Sequence, residues 1–263
     1  MRNNILLLII LCFLGILFIT GIFLSEKQYN SISIIHRFKA PSTEFLFGTD
    51  AYGRDIFLRT SKALFNTINY ALLASIIAIF IGFLLGLIAG YSGGIIDFVI
   101  QTLIDVMMSF PSFFLILTII AAMPQNGWNV IIAIVLSTWP NIAKITRAEI
   151  LTLKNREFIL ASSTIGASFI RIVFYHIVPN CINSLIITGI FSFGGAILTE
   201  SSLSFLKLGI NEDIPTLGNL ISGGRDVLRS WWISTFPGIV LFLLIFSVNL
   251  VGERIREFFD PKN

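Results

Sequence analysis

Charge is what this 263-residue chain has least of. Asp, Glu, Lys and Arg together make up 13% of it, against 55% hydrophobic residues. A globular protein carries about a quarter charged residues, so the chain cannot cover a water-soluble domain of its length and reads as an integral membrane protein. Cysteine is nearly absent. Cys12 and Cys181 both lie in apolar runs and form no CxxC pair, which argues against a disulfide framework and a thiolate metal site. The two histidines, His36 and His176, stand apart from one another and read as structural; no metal site is expected. Nor is there a GxSxG, an HExxH or a paired Ser/His/Asp constellation, so the chain itself is expected to be non-catalytic. The net charge of +3 is dispersed, without the Lys/Arg block that a nucleic-acid partner would need.

What is present is a series of long uncharged intervals. A charge at mid-bilayer costs at least about 2.5 kcal/mol, and about 20 apolar residues cross the hydrocarbon core as a helix, so these intervals locate the spans. The first covers 5–24, between Arg2 and Glu26. It exceeds the roughly 7–15 apolar residues of a signal peptide and no A-x-A-like site follows, so it reads as an uncleaved span. A polar linker over 25–62 carries six Lys/Arg and four acids. A span at 64–90 then ends in the turn Tyr91-Ser92-Gly93-Gly94. The turn Pro124-Gln125-Asn126-Gly127 divides the next apolar stretch into spans at 99–123 and 128–143. Spans at 181–199 and 233–251 follow, separated by polar residues 200–232. The expected architecture is one all-α polytopic domain over 1–263 with six transmembrane helices. Lys/Arg counts do not orient it. With the N-terminus inside, each side carries nine, although an even number of spans puts both termini on one side.

Three features stand out within the spans. Ala74, Ala78, Gly82, Gly86 and Gly90 recur at every fourth position, a stripe that lets another backbone approach closely, within the chain or from another subunit. Asp105 precedes the stretch Met107-Met108-Ser109-Phe110-Pro111. It is either an intramembrane carboxylate needing a partner, if its helix begins near Phe98, or an interfacial one, if the helix begins near Val106. Pro111 would kink the helix in either case. Glu200, at the end of the fifth span, reads as an interfacial, solvated carboxylate. Met107, Met108, Pro111, Asp105 and Glu200 are the candidates for lining or gating a path.

Between the fourth and fifth spans lies a polar, charged segment, 155–180, within a loop drawn at 144–180. Asn155 is placed to cap a helix with Glu157 in its first turn. Phe158, Ala161, Ser162 and Ile165 then share one face. Gly166 ends or bends that helix, and Ser168 is placed to cap a second helix running to Pro179. A short helix-turn-helix of this kind outside the lipid is a docking element for a soluble protein, or else an amphipathic helix on the membrane surface.

Residues 160–179 resemble the EAA loop, EAA-x3-G-x9-I-x-L-P, of permease subunits of bacterial ABC importers. Ala161, Gly166 and Pro179 match it; Leu160, Ser162, His176 and Val178 depart from it, the last two as in a common RHILPN variant. The flanks narrow the resemblance. Phe47-Gly48-Thr49-Asp50-Ala51-Tyr52-Gly53-Arg54-Asp55 is similar to the (L/F)GTDxxGRD segment of the oligopeptide/dipeptide/nickel permeases. IDVMMSFPSFFL from Ile104 and GGAILTESSLSFLKLGI from Gly194 resemble further segments, as do the later GN, GRD, WW, FPG and DP groups. The match covers about 45–263. It implies a type I ABC importer permease, the GTDxxGRD-bearing second subunit of its pair, in a bacterial cytoplasmic (inner) membrane with both termini cytoplasmic. Glu157, Leu160, Ala161, Ser162, Gly166, Ala167 and Pro179 would couple to the ATPase. Gly48, Thr49, Asp50, Gly53, Arg54 and Asp55 would lie in an external segment. The implied partners are a second homologous permease, two ATP-binding subunits that carry the ATP and Mg, and an extracytoplasmic substrate-binding protein. Ile221-Ser222-Gly223-Gly224-Arg225 superficially resembles the LSGGQ signature of the ATPases themselves. The chain has no GxxxxGK[ST] loop to hold a phosphate, so it carries no ATP site of its own. The expected cargo is di- or oligopeptides, or else nickel or a metal chelate. A membrane scaffold or sensor recruiting a soluble partner is the reading from a different class, and an intramembrane enzyme using Asp105 and Glu200 a third.

Overall fold

The computed structural model describes residues 2–124, 126–225 and 227–259. Gln125 of the predicted turn, Asp226 of the GRD group and the closing Asp260-Pro261 lie outside the described residues. Along the chain run α1 (Arg2–Phe23), α2 (Glu26–Tyr29), α3 (Ile56–Ser92), α4 (Gly94–Ser109), α5 (Ser112–Ala121), α6 (Gly127–Lys154), α7 (Glu157–Thr164), α8 (Phe169–Ile172), α9 (Val178–Phe205), α10 (Leu217–Gly223) and α11 (Trp232–Phe259). Among the described residues four helices are long and apolar enough to cross a membrane: α3, α6, the continuous Phe169–Phe205 helix that includes α9, and α11. The α4–α5 pair qualifies as one broken span, and Leu7–Phe23 of α1 is a shorter apolar helix.

The 37 residues of α3 extend about 55 Å at 1.5 Å per residue, and the other long helices pack around it. Its start is set by Asp55, whose carboxylate accepts the Phe57 and Leu58 backbone N–H groups at 2.7 and 3.3 Å. Arg59 and Lys62 therefore belong to the helix, and it begins well before residue 64, where charge alone drew the span. A similar cause extends α6. It runs through Pro140 to Lys154, because its charged residues find partners beside the helix. Arg147 grips Asp97 of α4 with two hydrogen bonds of 2.5 and 2.6 Å, and Lys154 donates to the Tyr91 carbonyl at the end of α3, at 2.6 Å. The loop drawn from residue 144 thus starts at Asn155.

The small-residue stripe of α3 faces α6. Ala74 and Ala78 are fully buried. A Cβ on Gly82 would come within 2.7 Å of Ile142 Cβ, one on Gly86 within 2.6 Å of the Ala143 carbonyl, and one on Gly90 within 3.0 Å of the Arg147 carbonyl. The close approach is internal. Around it, the main core joins Leu14 and Leu17 of α1, Leu64 and Ala71 of α3, Ile116 of α5, Ile134 of α6, Ile197 of α9, Leu217 of α10 and Val240 of α11.

The segment predicted as the third span is broken rather than kinked. α4 and α5 meet at an 87° bend. Pro111 supplies no N–H, and its ring drives Phe110 into extended backbone (φ −90, ψ 136). α4 begins at Gly94, earlier than either alternative considered for it, so Asp105 lies in its later turns.

Candidate functional site

The polar island forms at one end of α3. α7 opens with Glu157 in its first turn, but Asn155 does not cap it; Asn155 closes α6, its side-chain amide donating to the Leu151 carbonyl. Gly166 follows α7 at φ +84, a left-handed conformation that other L residues adopt only under strain. Ser168 caps α8 by accepting the Arg171 N–H. The second helix does not stop at Pro179. A π-turn, Val173–Ile177, leads directly into α9, and Pro179 occupies the first turn of that helix, where a proline is tolerated. The sequence therefore places the hinge correctly at Gly166, while the second helix is the first part of a 37-residue one.

The predicted apolar stripe on α7 points outward. Phe158, Ala161 and Ile165 are exposed, Ile165 at 87%. It is Ile159 that is buried, with Ile172, Val173, Ile177 and Cys181 against Leu87 of α3 and Ile150 of α6, and Ala167 packs on this cluster. Ser162 Oγ and His176 Nε2, 3.0 Å apart, tie α7 to the π-turn. Tyr91 and Phe169 rings meet edge to face at 4.7 Å between centroids. Of the predicted coupling residues, Glu157, Leu160, Ala161, Gly166 and Pro179 are exposed, and Ser162 and Ala167 are half-buried. With Ile170, Phe174 and Tyr175 exposed beside Arg156, Glu157 and Arg171, the island presents an outer surface of apolar and charged side chains, packed through the Ile159 cluster on the ends of α3, α6 and α9.

At the opposite end of α3, residues 48–55 fold into a tight knot. Asp50 Oδ1 accepts the backbone N–H groups of Tyr52 and Arg54 at 2.8 and 3.0 Å, and its Oδ2 accepts Arg54 Nε at 2.7 Å. The Thr49 hydroxyl donates to the His36 carbonyl and accepts the Lys39 N–H at 2.8 Å. Trp232 Nε1 donates to the Thr49 carbonyl at 3.1 Å, which ties the knot to the start of α11. Gly53 has φ +71, and a Cβ there would overlap the Ser33 carbonyl; at Gly48 a Cβ would come within 2.7 Å of the Lys39 carbonyl. Each residue singled out in this segment thus has a structural task. Trp232, which completes the knot, was not among them; no local spacing links it to residues 48–55.

Between these ends, a cavity of about 750 Å³ opens beside the α4–α5 break, walled by α6 and α9. Met107, Met108 and Pro111 line it, together with Ser112, Ser137, Thr138, Asn141, Thr188, Ser192 and Thr199, and Arg256 of α11. The other two path candidates are not in its wall. Asp105 is exposed, accepts from Gln101 Nε2 at 3.0 Å and lies 3.9 Å from Lys144 Nζ. Glu200 is not solvated at an interface but 0% exposed. Ser204 Oγ donates to it at 2.8 Å and Ser201 Oγ at 3.4 Å, and the Thr67 and Thr216 hydroxyls bond to it as well. Hydroxyls from α3, α9 and the cap of α10 together replace the water that sequence reasoning assigned to it. The neutral hydroxyls of the cavity wall also escaped that reasoning, because Ser and Thr in a span carry no signal until the helices are assembled.

Residues 82–263 match the family model described as "Binding-protein-dependent transport system inner membrane component". The chain is 33% identical over 265 residues to the oligopeptide transport system permease protein OppC of Bacillus subtilis, covering 99% of this chain and 87% of the relative. The chain belongs to that family. It is also 34% identical to the dipeptide transport system permease protein DppC of Alkalihalophilus pseudofirmus, over 91% of this chain and 79% of that one. Among solved structures, an inward-facing form of the MetNI methionine ABC transporter superposes with a TM-score of 0.62 at 15% identity, covering 75% of this chain and 95% of the other. A second, a crystal structure of an amino acid ABC transporter with histidines, gives 0.57 at 16% identity, covering 74% and 91%. These two likenesses concern the fold. The permease is an inner-membrane component of an ABC importer, and the island and the polar cavity are features of one membrane subunit.

Proposed function

We propose that this permease forms half of a translocation path for di- and oligopeptides. The observation that carries the reading is the cavity wall. Its side chains are hydroxyls, a carboxamide and apolar groups, with Arg256 the one charged member among the lining residues described. Such a wall offers hydrogen bonds to peptide groups and little field to sort their side chains by charge, which suits a cargo defined by its backbone. The names of the relatives point the same way. In this reading α1 and the α4–α5 pair each cross, giving six spans in a type I arrangement, with both termini and the 155–180 island on the cytoplasmic side. A second homologous permease completes the path. Two ATP-binding subunits dock on the island, an extracytoplasmic binding protein delivers the peptide, and closure of the ATPases on ATP and Mg tilts the helices between outward- and inward-open states.

The test is ATP-dependent uptake of a labelled tripeptide by vesicles holding the reconstituted importer, with nickel and a nickel chelate as parallel cargoes. Peptide uptake is expected, and uptake of the metal species alone would overturn the cargo assignment. Gly166→Arg tests the docking surface. No atom outside the local chain lies within 4 Å of a Cβ there, so a side chain meets no clash, and the left-handed backbone costs it about 1–2 kcal/mol. Gly166→Ala, which bears the same backbone cost, is expected to keep peptide uptake, while the bulky cation of Gly166→Arg faces the docked ATPase and uptake falls to background. Normal uptake by that variant would remove the island from the mechanism.

A further inference from the structure

A second pocket, of about 360 Å³, opens at the knot end of α3 between residues 50–59 and the segment leading into α10. It shares no lining residue with the large cavity. Arg59 is part of its wall and is only 3% exposed. Its Nη1 donates to Asn30 Oδ1 at 2.5 Å, a neutral acceptor. Its Nε has no hydrogen-bond partner. The nearest carboxylate, Asp50 Oδ2, lies 4.0 Å from that Nε, but it already receives Arg54 Nε at 2.7 Å, and the other Asp50 oxygen is occupied by two backbone N–H groups. One carboxylate therefore serves two guanidinium groups. The remaining acids of the pocket, Glu212 and Asp213, are exposed, and Glu212 lies 3.3 Å from Lys207. A buried cation without its own counterion is costly by several kcal/mol, and guanidinium is the side chain best shaped to take a carboxylate.

We infer that this pocket is a carboxylate-binding site and that Arg59 is the residue that recognises the ligand. The carboxylate comes either from the C-terminus of an incoming peptide or from an acidic side chain of the protein that docks on this face. The inference rests on the importer reading only for that source; binding itself requires no transport.

The experiment uses the purified importer complex. N-acetylglycine is titrated against its uncharged counterpart N-acetylglycinamide, following Trp fluorescence, since Trp231 and Trp232 adjoin the pocket residue Ile233. The acid is expected to produce a saturable change with at least tenfold higher affinity than the amide. Equal responses, or none in a complex that still binds ATP, would overturn the site whether or not peptides are imported. Arg59→Gln is expected to abolish the difference and Arg59→Lys to weaken it. Because the acid-against-amide comparison is made on the wild type, it stands even where a variant misfolds. Two arms separate the sources. Tenfold weaker docking of the binding protein to Arg59→Gln, with N-acetylglycine competing, assigns the ligand to that protein. Unchanged docking with a raised KM for free-acid peptides, and no change for their C-terminal amides, assigns it to the cargo. If neither quantity moves, the site has no role in import and the inference fails.

Discussion

Gly53 holds its knot through two properties that only a glycine combines. Its φ of +71 costs an L residue about 1–2 kcal/mol, and a side chain there would run into the Ser33 carbonyl. Gly53→Ala is therefore expected to destabilise the permease by at least about 2 kcal/mol, read as a lower thermal midpoint in detergent; an unchanged midpoint would mean that residues 48–55 do not hold the start of α3. The same scale shows how little a motif says about task. Asp50, Thr49 and Asp55 were legible as a recurring segment, yet their hydrogen bonds to Arg54, His36 and the first turn of α3 are interior to the fold. Glu200 makes the same point in reverse. Its position at the end of an apolar run suggested water, and hydroxyls surround it instead.

At the scale of elements, α3 and α6 form the frame on which the rest is placed. The glycine face lets their backbones approach until a methyl group would no longer fit. Gly86→Leu must drive the pair apart, since overpacking a tight contact costs about 1–3 kcal/mol or more. We expect loss of folded protein in the membrane, more than for Gly166→Arg, which meets backbone strain but no clash; immunoblots of washed membranes distinguish the two. Fastening at the island end falls to the Asp97–Arg147 pair, which locks α4 to α6. Single reversals, Asp97→Arg or Arg147→Asp, should each lower the thermal midpoint, and the double reversal should recover most of the loss. A coupling of about 1 kcal/mol is expected from such a cycle, and strict additivity would show that the pair does not connect the helices. Helix ends were misjudged from sequence for this same reason. Lys62 and Lys144 looked like the limits of spans, but Lys62 donates to the Gly21 carbonyl, and Arg147 and Lys154, beyond Lys144, find partners beside α6, so each helix continues past its limit.

Taken whole, the molecule separates three surfaces along one long axis: the 155–180 island at one end of α3, the pocket around Arg59 at the other, and the large polar cavity between them. If the helices reorient around that cavity, its exposure should change with nucleotide. Met108→Cys in a Cys12→Ser, Cys181→Ala background should react with a membrane-impermeant maleimide from one side without ATP, and from the other when ATP is trapped. Reactivity that ignores nucleotide would count against alternating access. Composition and charge spacing alone determined that this is a membrane protein and where its apolar segments lie, because the cost of a charge in lipid is paid locally, residue by residue. Local spacing also marked the hinge at Gly166 and the small-residue face of α3, since each depends on a single turn or one helical period. Only the tertiary structure decided that this face is internal, that Pro111 breaks its helix through 87°, that Glu200 is enclosed and that Arg59 stands short of a counterion. Each of those depends on which distant side chains meet, and no spacing along the chain records it.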